Sequence, residues 1–301
     1  MKTPRQVFWL IFTLALLTLC AAGADAPLQP TFPRTLTDGA GRSLKIPSVP
    51  RRIVSLSPAA TDILVLSLNA HAALAGVTRY CQIPAADEKR IARLGGVADP
   101  DYERILALHP DLVVAPFLAD KTLQEKLLSL GLPVILLHPE GLAGIVEDIR
   151  LLGSATGHAA EGEAAARRLE AIRALAARRW QGAAEKQHPR VLVRMGGVSP
   201  APGSYVDDLI TAAGGRNVLP PGAKAWIEVS PEAALQLAPD LIVEILAAGL
   251  PTSAQPPPGS PKTVTIPKGD DFYRPGPGVG AALWELAQAI APARFPEATP
   301  P

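Results

Sequence analysis

The sequence predicts an α/β protein in which two α/β sandwich lobes are joined by one long rigid helix. A motif at residues 103–114 recurs at 232–243 with Glu, two Leu, Pro-Asp, a third Leu and Val in the same register. In both halves, short apolar runs typical of buried strands alternate with helical segments, which indicates parallel sheets. Between them, residues 142–181 contain no proline and are rich in Ala, Leu, Arg and Glu, as expected of a helix.

Each copy of the motif predicts a short helix, a Pro-Asp turn and a buried strand. The chain therefore carries one structural unit twice, and two units of this kind predict two lobes rather than one continuous sheet. Two lobes imply a cleft between them, and ligands commonly bind at such junctions.

The first 24 residues have the composition of a signal peptide. Two basic residues precede an apolar run over residues 7–19, and a small-x-small signal-peptidase site follows at 22–24. We therefore expect an exported protein that is cleaved near Ala24. A lipid anchor on Cys20 is the alternative, and the bulky Leu19 before it disfavours that modification.

Charge and cysteine content exclude several classes of protein. Of 29 basic residues, Lys2 and Arg5 leave with the signal peptide, so 27 basic residues face 28 acidic ones and the net charge is −1. Such a chain does not attract nucleic acid. Cys81 alone remains after cleavage, so we expect a buried thiol and no internal disulfide. The five histidines lack paired metal-ligand spacing, so we expect no metal site.

The first half of the mature chain is an N-terminal arm, 25–50, and an N-terminal α/β lobe, 51–140. A short hairpin is expected around residues 38–41 of the arm. Ser57 and Pro58 are suited to the N-cap and first position of an apolar helix. The buried strands of the lobe are predicted at 52–56, 74–77, 112–115 and 134–137.

The interlobe backbone helix is predicted over 141–183. Glycines at 153, 157 and 162 are costly in a helix interior, which favours a break near Gly157-His158. The C-terminal α/β lobe, 184–292, and a tail, 293–301, complete the chain. The predicted elements of this lobe are a strand at 190–194, a helix at 205–213 ended by Gly214-Gly215, a strand at 263–266 and a final helix at 279–290.

Six segments, in order, resemble the family of periplasmic cobalamin-binding proteins and their relatives, the helical-backbone substrate-binding proteins of ABC importers for cobalamin, haem and ferric siderophores. They are residues 50–61, 76–81, 103–114, 213–218, 226–232 and 274–277. The resemblance spans about residues 50–290. It implies two lobes on a rigid helix, a periplasmic location, and an ABC-importer permease dimer in the inner membrane as partner.

Glu103 and Glu232 begin the two copies of the motif. Asp99 and Ser230 are positioned to cap their helices, and an acid in the first turn favours the helix dipole by about 0.3–1 kcal/mol. That structural role alone explains both residues. The resemblance implies a second role, because the family's equivalent lobe-tip glutamates contact arginines on the permease.

Candidate ligand contacts come from both lobes. Tyr80 and Trp226 lie in loops, where an aromatic ring gives a large apolar contact for a macrocycle or simply plugs the loop. Asp270 matches the family's acid that bonds corrin amides, although it equally suits a turn. The family's other cleft aromatics are replaced here, Met195 standing at one such position and Phe117 beside another. We expect a thinner aromatic cage.

We therefore expect a monomeric substrate-binding protein, not an enzyme, that captures a corrinoid such as cobalamin and carries no cofactor of its own. Haem or a ferric siderophore is the alternative ligand. Tyr80 would then serve as an axial iron ligand, and Arg79, Arg194 and Arg274 would hold an anionic siderophore. A secreted hydrolase is the remote alternative, since no catalytic motif is present.

Overall fold

The segment Phe32–Pro301 is one compact unit. Its described residues form two large sheets, one in each half of the chain, and a two-stranded hairpin. The computed structural model describes residues 31–117, 121–138, 140–222, 225–246, 261–296 and 299–300. The predicted signal peptide, its cleavage site near Ala24, and Cys20 lie outside these ranges. Among the described helices, none has the length and apolar character needed to cross a bilayer.

The predicted hairpin of the arm is confirmed. Strand β1 (Arg34–Thr37) pairs antiparallel with β2 (Ser43–Ile46). The buried carboxylate of Asp38 closes the turn by accepting hydrogen bonds from the amides of Ala40 at 3.0 Å and Arg42 at 2.9 Å. It also accepts one from Leu136 at 3.2 Å, so the same acid fastens the hairpin to the first lobe.

The N-terminal lobe holds a parallel five-stranded sheet in the order β5-β4-β3-β6-β7. Ser57 accepts from the amide of Ala60 at 3.2 Å as the predicted N-cap of the first helix. The strands are β3 (Ile53–Ser55), β4 (Leu74–Val77), β5 (Ala92–Arg93), β6 (Leu112–Pro116) and β7 (Val134–Leu137). The helices are α1 (Pro58–Asp62), which continues as a π-helical turn (Ile63–Ser67), α2 (Tyr102–Ala107) and α3 (Lys121–Leu128).

The C-terminal lobe holds a six-stranded sheet in the order β11-β9-β8-β12-β13, with β10 beside β8. Strands β9 and β11 run antiparallel, and the others pair in parallel. The strands are β8 (Arg190–Met195), β9 (Val198–Pro200), β10 (Arg216–Asn217), β11 (Trp226–Glu228), β12 (Leu241–Ile245) and β13 (Lys262–Ile266). The helices, numbered after the two between the lobes, are α6 (Tyr205–Ala212), α7 (Pro231–Gln236) and α8 (Val279–Ile290).

The two copies of the sequence motif form equivalent structures, α2-β6 and α7-β12. In the first copy, the Asp111 carboxylate accepts from the amides of Arg51 and Arg52 at 2.8 and 2.9 Å, at the start of β3. In the second copy, Asp240 accepts from the amide of Arg190 at 2.8 Å, at the start of β8. The repeated Pro-Asp therefore joins each helix-strand unit to the first strand of its lobe.

The segment predicted as one interlobe helix is two helices, α4 (Gly141–Thr156) and α5 (Ala159–Arg178). They run antiparallel, because their contacts recede from the break on both sides: Gly153 lies against Gly162, and further out Arg150 on α4 forms ion pairs with Glu163 at 2.7 Å and Glu170 at 3.0 Å on α5. The break falls at Gly157-His158, where the glycines favoured it. The α/β fold class is confirmed, and the helical connection is a packed pair.

Glycine explains why the pair forms. Gly157 ends α4 with φ of +84°, a left-handed conformation that costs glycine little. A Cβ atom on Gly153 would lie 3.0 Å from the Cα of Gly162, so the two helices approach too closely for any side chain there. The three glycines of this segment therefore turn the chain and let the helices pack.

One apolar core joins the two lobes. Along β6, Leu112 and Val114 belong to this core, and along β12 so do Leu241 and Val243. The core continues through the buried faces of α4, α5 and α8, whereas alternate residues of the same strands face two smaller, separate outer cores. Each sheet thus shares its inner face with the helices between the lobes.

Two polar contacts add to the interlobe packing. Asp62, at the end of α1, forms an ion pair with Arg274 at 3.1 Å. Asp208 on α6 accepts a hydrogen bond from the amide of Leu142 at 2.9 Å, at the start of α4. Both contacts lie between the N-terminal and C-terminal halves of the chain.

We predict that Asp111→Ala and Asp240→Ala each lower the free energy of unfolding by about 1–2 kcal/mol, because each removes the acceptor for backbone amides at a strand start. Urea denaturation measures the change. Glu125→Ala, at an exposed position on α3, is the control. Two aspartate variants as stable as this control would contradict the account.

Candidate functional site

The carboxyl ends of the N-terminal strands face the C-terminal lobe across a cavity of about 230 Å³. Parallel sheets commonly bind ligands at this edge, because the loops after the strands converge there. From the first lobe the cavity is lined by Ser57, Pro58, Ala59, Val97, Pro116 and Leu137, from α4 by Asp148, and from the second lobe by Tyr273, Arg274 and Pro275. The lining is mostly apolar with a few polar groups, as in binding sites for small organic molecules.

Three exposed aromatic side chains come from the loops and strand ends of this region. Tyr80 is 59% exposed, Phe117 41% and Trp226 37%, and among the described residues they are the only aromatic side chains that are both large and exposed. Exposed aromatic rings leave apolar surface in contact with water, which ligand binding removes. All three are ligand contacts predicted from the sequence.

The contacts of the first two rings hold them at the sheet edge. Tyr80 follows β4, and the guanidinium of Arg79 lies 5.0 Å from its ring centroid. Arg79 in turn forms an ion pair with Asp99 at 3.1 Å, so Tyr80 and Asp99 together raise the pKa of Arg79 above its usual value. Phe117 follows β6, and its ring centroid lies 4.5 Å from that of His138, which follows β7.

In the second lobe, Trp226 packs edge-on against Tyr205, with 6.2 Å between ring centroids. The Tyr205 hydroxyl donates to the carbonyl of Phe272, and burial raises the pKa of Tyr205. Tyr273, the next residue, donates to the carbonyl of Ile245 at 3.3 Å and lines the cavity. Trp226 thus packs on Tyr205, which bonds the backbone next to Tyr273, a residue of the cavity wall.

Asp270 begins the short helical turn Asp270–Phe272 and is half-buried. Within the described ranges its carboxylate makes no hydrogen bond or ion pair. Its charge contributes, after burial, to raising the pKa of Tyr273. Asp270 therefore lies near Tyr273, a residue of the cavity wall, with free acceptors.

Met195 does not reach the cleft. It ends β8 with 1% of its surface exposed and belongs to the core shared by the two lobes. The physical reason is the alternation of the strand, which places Val191, Val193 and Met195 on the inner face. This placement corrects the sequence-based expectation of a ligand contact.

The three arginines considered for an anionic ligand all have acidic partners. Arg79 pairs with Asp99, as described above. Arg194 pairs with Glu244 at 3.1 Å in the sheet, and both side chains are buried. Arg274 pairs with Asp62 at 3.1 Å and lies within 3.8 Å of Asp271. An anion in the cleft would have to compete with these carboxylates for the guanidinium groups.

Two buried acids at the cleft have raised pKa values. Burial raises the pKa of Asp62 to about 6, although the charge of Arg274 opposes the shift. Burial, with a contribution from the charge of Glu147, raises the pKa of Asp148 to about 7. The spacing of Ile145, Asp148 and Leu152 would have located this acid, since it occupies an apolar position of a helical stripe.

Asp148 also lines a second, outer cavity of about 530 Å³ beside the hairpin of the arm. This cavity is lined by acidic groups, including Asp38, Glu140 and Glu147, and by His138. Even so, no three His, Cys, Asp or Glu side chains in the described part of the chain are arranged to hold a metal ion.

The motif glutamates lie on two helix faces that we call the paired Glu-Leu faces, made of Glu103 and Leu106 on α2 and of Glu232 and Leu235 on α7. All four side chains are exposed. In each helix the leucine follows the glutamate by three residues, so both lie on one face. Hydrogen bonds from its own amide and from Ser230 lower the pKa of Glu232.

One predicted cap is correct and one is not. Ser230 accepts from the amide of Ala233 at 3.2 Å, as expected for α7. For α2 the N-cap is Asp101, which accepts from the amide of Arg104 at 3.0 Å. Asp99 is instead the partner of Arg79, because α2 begins only at Tyr102.

Cys81 is buried as expected. The hydroxyls of Thr61 and Thr78 lie 3.1 Å from its Sγ, and burial raises the pKa of its thiol. A raised pKa keeps the thiol protonated and makes it a poor nucleophile.

Comparison with known proteins defines the class of this fold and cleft. The profile of the periplasmic binding protein family matches residues 53–244, and the chain belongs to that family. The family consists of substrate-binding proteins of ABC importers, which implies a membrane permease as partner.

Three of the similar proteins are named for the ligand that they bind. The chain is 27% identical over 263 residues to a cobalamin-binding protein of Halobacterium salinarum, covering 82% of this chain and 71% of that one. It is 28% identical over 247 residues to a vitamin B12-binding protein of Salmonella choleraesuis, covering 80% and 90%. A periplasmic heme-binding protein of Roseiflexus, solved in apo form, has 26% identity, a TM-score of 0.64, and coverage of 81% and 99%.

We predict that the buried acids make the protein less stable as pH rises from 5 to 8. A folded-state pKa above the ordinary value means that the folded protein binds more protons, so stability is greatest at low pH and is lost as pH rises through the raised pKa. For Asp148 the loss is on the order of 2–4 kcal/mol.

Asp148→Asn should therefore remove most of this decline and raise stability at pH 8. Urea denaturation at pH 5, 6, 7 and 8 measures it, with Glu125→Gln, at an exposed position on α3, as the control. An Asp148→Asn variant with the same pH dependence as wild type would show that Asp148 does not titrate in this range.

Proposed function

We propose that the protein captures a corrinoid of the cobalamin type in the interlobe cleft and delivers it to an ABC importer. The observation that carries the proposal is a mostly apolar cavity between the two lobes, together with three exposed aromatic rings outside its lining: Tyr80 after β4, Phe117 after β6 and Trp226 at the start of β11. A flat macrocycle with an apolar face and an amide rim suits rings of this kind with polar groups between them. The named cobalamin-binding relatives favour the same ligand.

The cavity and the rings have different parts in this proposal. A volume of about 230 Å³ is below the roughly 300–1,000 Å³ typical of whole-ligand sites, so the cavity accommodates one edge of the macrocycle. The rest of the ligand would lie between the exposed rings of the two lobes. Asp270, with free acceptors, is available to the amides of the rim.

Haem is the second candidate, and one specific observation favours it. Tyr80 and His138, both with exposed rings, stand at the same sheet edge, and either side chain is a known type of axial iron ligand. A heme-binding protein is also among the similar structures. An anionic ferric siderophore has less support, because Arg79, Arg194 and Arg274 are all engaged by carboxylates.

For delivery, we propose that the paired Glu-Leu faces contact the permease. Each lobe offers one exposed glutamate with an exposed leucine one turn further along the same face. The arrangement is repeated because the motif is repeated, so it suits a partner made of two equivalent subunits. Acidic groups at such a rim would steer association toward basic residues, and the leucines would add apolar contact.

We predict that isothermal titration calorimetry shows one cyanocobalamin bound per chain with about −8 kcal/mol or better. Trp226→Ala should weaken binding by about 1–3 kcal/mol through lost apolar contact, and Tyr80→Phe should change it little because the ring is retained. Leu66→Ala, at an exposed position away from the cleft lining, is the matched control.

Haemin is titrated in parallel to separate the two ligands. If haemin binds tightly, Tyr80→Phe alters its Soret spectrum, and cyanocobalamin produces no heat, then the corrinoid proposal is wrong and the haem alternative takes its place. Equal affinity of wild type and Trp226→Ala for cyanocobalamin would remove that residue from the site.

We predict that Glu103→Ala and Glu232→Ala bind ligand normally but associate poorly with the reconstituted importer, and that the double variant is weakest. Salt should weaken the wild-type complex, because exposed charge pairs are screened. Leu106→Ser and Leu235→Ser test the apolar part of the paired Glu-Leu faces, and Glu125→Ala controls for loss of a negative charge elsewhere. Association of the double glutamate variant at wild-type strength would leave these residues only their role at the helix termini.

A further inference from the structure

Asp148 is an unusual residue for the wall of an apolar cleft. It lies on α4 with 5% of its surface exposed, and it lines both the cleft cavity and the outer cavity. Among the described residues its carboxylate has no hydrogen-bond or ion-pair partner. Neither carboxylate oxygen of Asp148 is among the described side-chain atoms that are fully shielded from solvent and unpartnered, so the group reaches the cavities that it lines. A carboxyl group that faces a cavity without a protein partner is available to hydrogen-bond a ligand.

We propose that Asp148 determines ligand specificity at the floor of the cleft, where its neutral carboxylic acid pairs with a carboxamide on the rim of the bound macrocycle. In this pair the acid O–H donates to the amide oxygen, and the other acid oxygen accepts from the amide N–H. The inference rests on the proposed function, since it names the group of the corrinoid that the cleft recognises.

The surroundings favour an amide over a charged group. A carboxylate on the ligand would meet the acids Asp62 and Asp148, while the nearby guanidinium of Arg274 is already paired with Asp62. A cation would have to leave water for a cavity lined largely by proline, valine and leucine. An acid-amide pair satisfies two donors and two acceptors and buries no net charge.

The protonation state agrees with this geometry. Burial and the charge of Glu147 raise the pKa of Asp148 to about 7, so much of the free protein holds the neutral acid near neutral pH. Other ionisable groups face the two cavities that Asp148 lines. They are Glu147 on the same helix, Asp38 in the hairpin, His138 and Glu140 after β7, and Tyr273 and Arg274 from the second lobe.

The test is the affinity of the full chain for cyanocobalamin, measured from pH 5.5 to 8.5, a range in which the ligand's amides do not titrate. Wild-type Kd should rise about tenfold as pH increases through 7, because binding needs the proton on Asp148. Asp148→Asn should bind within about threefold of wild type at pH 6 and show no rise, since an amide keeps both hydrogen bonds. Asp148→Ala should bind about tenfold more weakly at pH 6.

Two variants and one analogue serve as controls. Glu147→Gln should keep the pH dependence with a slightly lower midpoint, and His138→Asn should keep it unchanged. Cobyrinic acid, in which carboxylates replace the side-chain amides of cobyric acid, should bind wild type at least tenfold more weakly than cobyric acid does. The thermal unfolding of each variant is recorded to show that it is folded.

The outcomes separate this inference from the proposed function. If wild type binds cyanocobalamin but Asp148→Asn keeps the wild-type pH profile, or Asp148→Ala keeps wild-type affinity, the role of Asp148 is wrong and corrinoid capture stands. Loss of the pH dependence in Glu147→Gln or His138→Asn would also overturn it. If wild type does not bind cyanocobalamin at any pH, the proposed function fails and this inference fails with it.

Discussion

A single apolar core packs the inner faces of both sheets against α4, α5 and α8, and the cleft depends on it. Rotating one lobe against the other would open this core, and exposed apolar surface costs roughly 25 cal/mol per Å². The packed helix pair, closed by Gly153 and Gly162 and by the ion pairs of Arg150, resists the same motion. The cleft is therefore already formed in the free protein. Ligand binding does not carry the free-energy cost of ordering it.

The acids at the cleft differ from the acids of the scaffold in their effect on the stability of the fold. Asp38, Asp111 and Asp240 each accept backbone hydrogen bonds and join one element to another. Asp148, in contrast, is buried without a partner, and Asp62 has a raised pKa despite its ion pair. Buried acids that lower the stability of the fold are typical of functional sites, where such groups are kept because they take part in binding.

Much of the fold follows from local sequence patterns. The repeat predicts two equivalent units, and Ser57 and Ser230 mark helix starts because their capping chemistry is short-range. The antiparallel return of α5 along α4 was not predicted, because helical periodicity continues on both sides of Gly157 and only tertiary packing distinguishes a break from a reversal.

The site was predictable only in part, for a similar reason. The three exposed aromatic residues, Tyr80, Phe117 and Trp226, lie in loops or at strand ends. Such positions can be recognised from the sequence. Met195 was misplaced because the face of β8 that it occupies depends on which side of the sheet the helices cover. The pairing of Arg274 with Asp62 joins residues far apart in the chain, which no local pattern reports.

The most direct test of a preformed, ligand-binding cleft is a crystal structure of the protein with cyanocobalamin. We expect corrin density in contact with Tyr80, Phe117 and Trp226, with an edge of the macrocycle at Asp148. We also expect lobes that superpose on the present structure within about 1 Å. Density at another surface, or a rotation of the lobes that separates α4 from α5, would contradict these expectations.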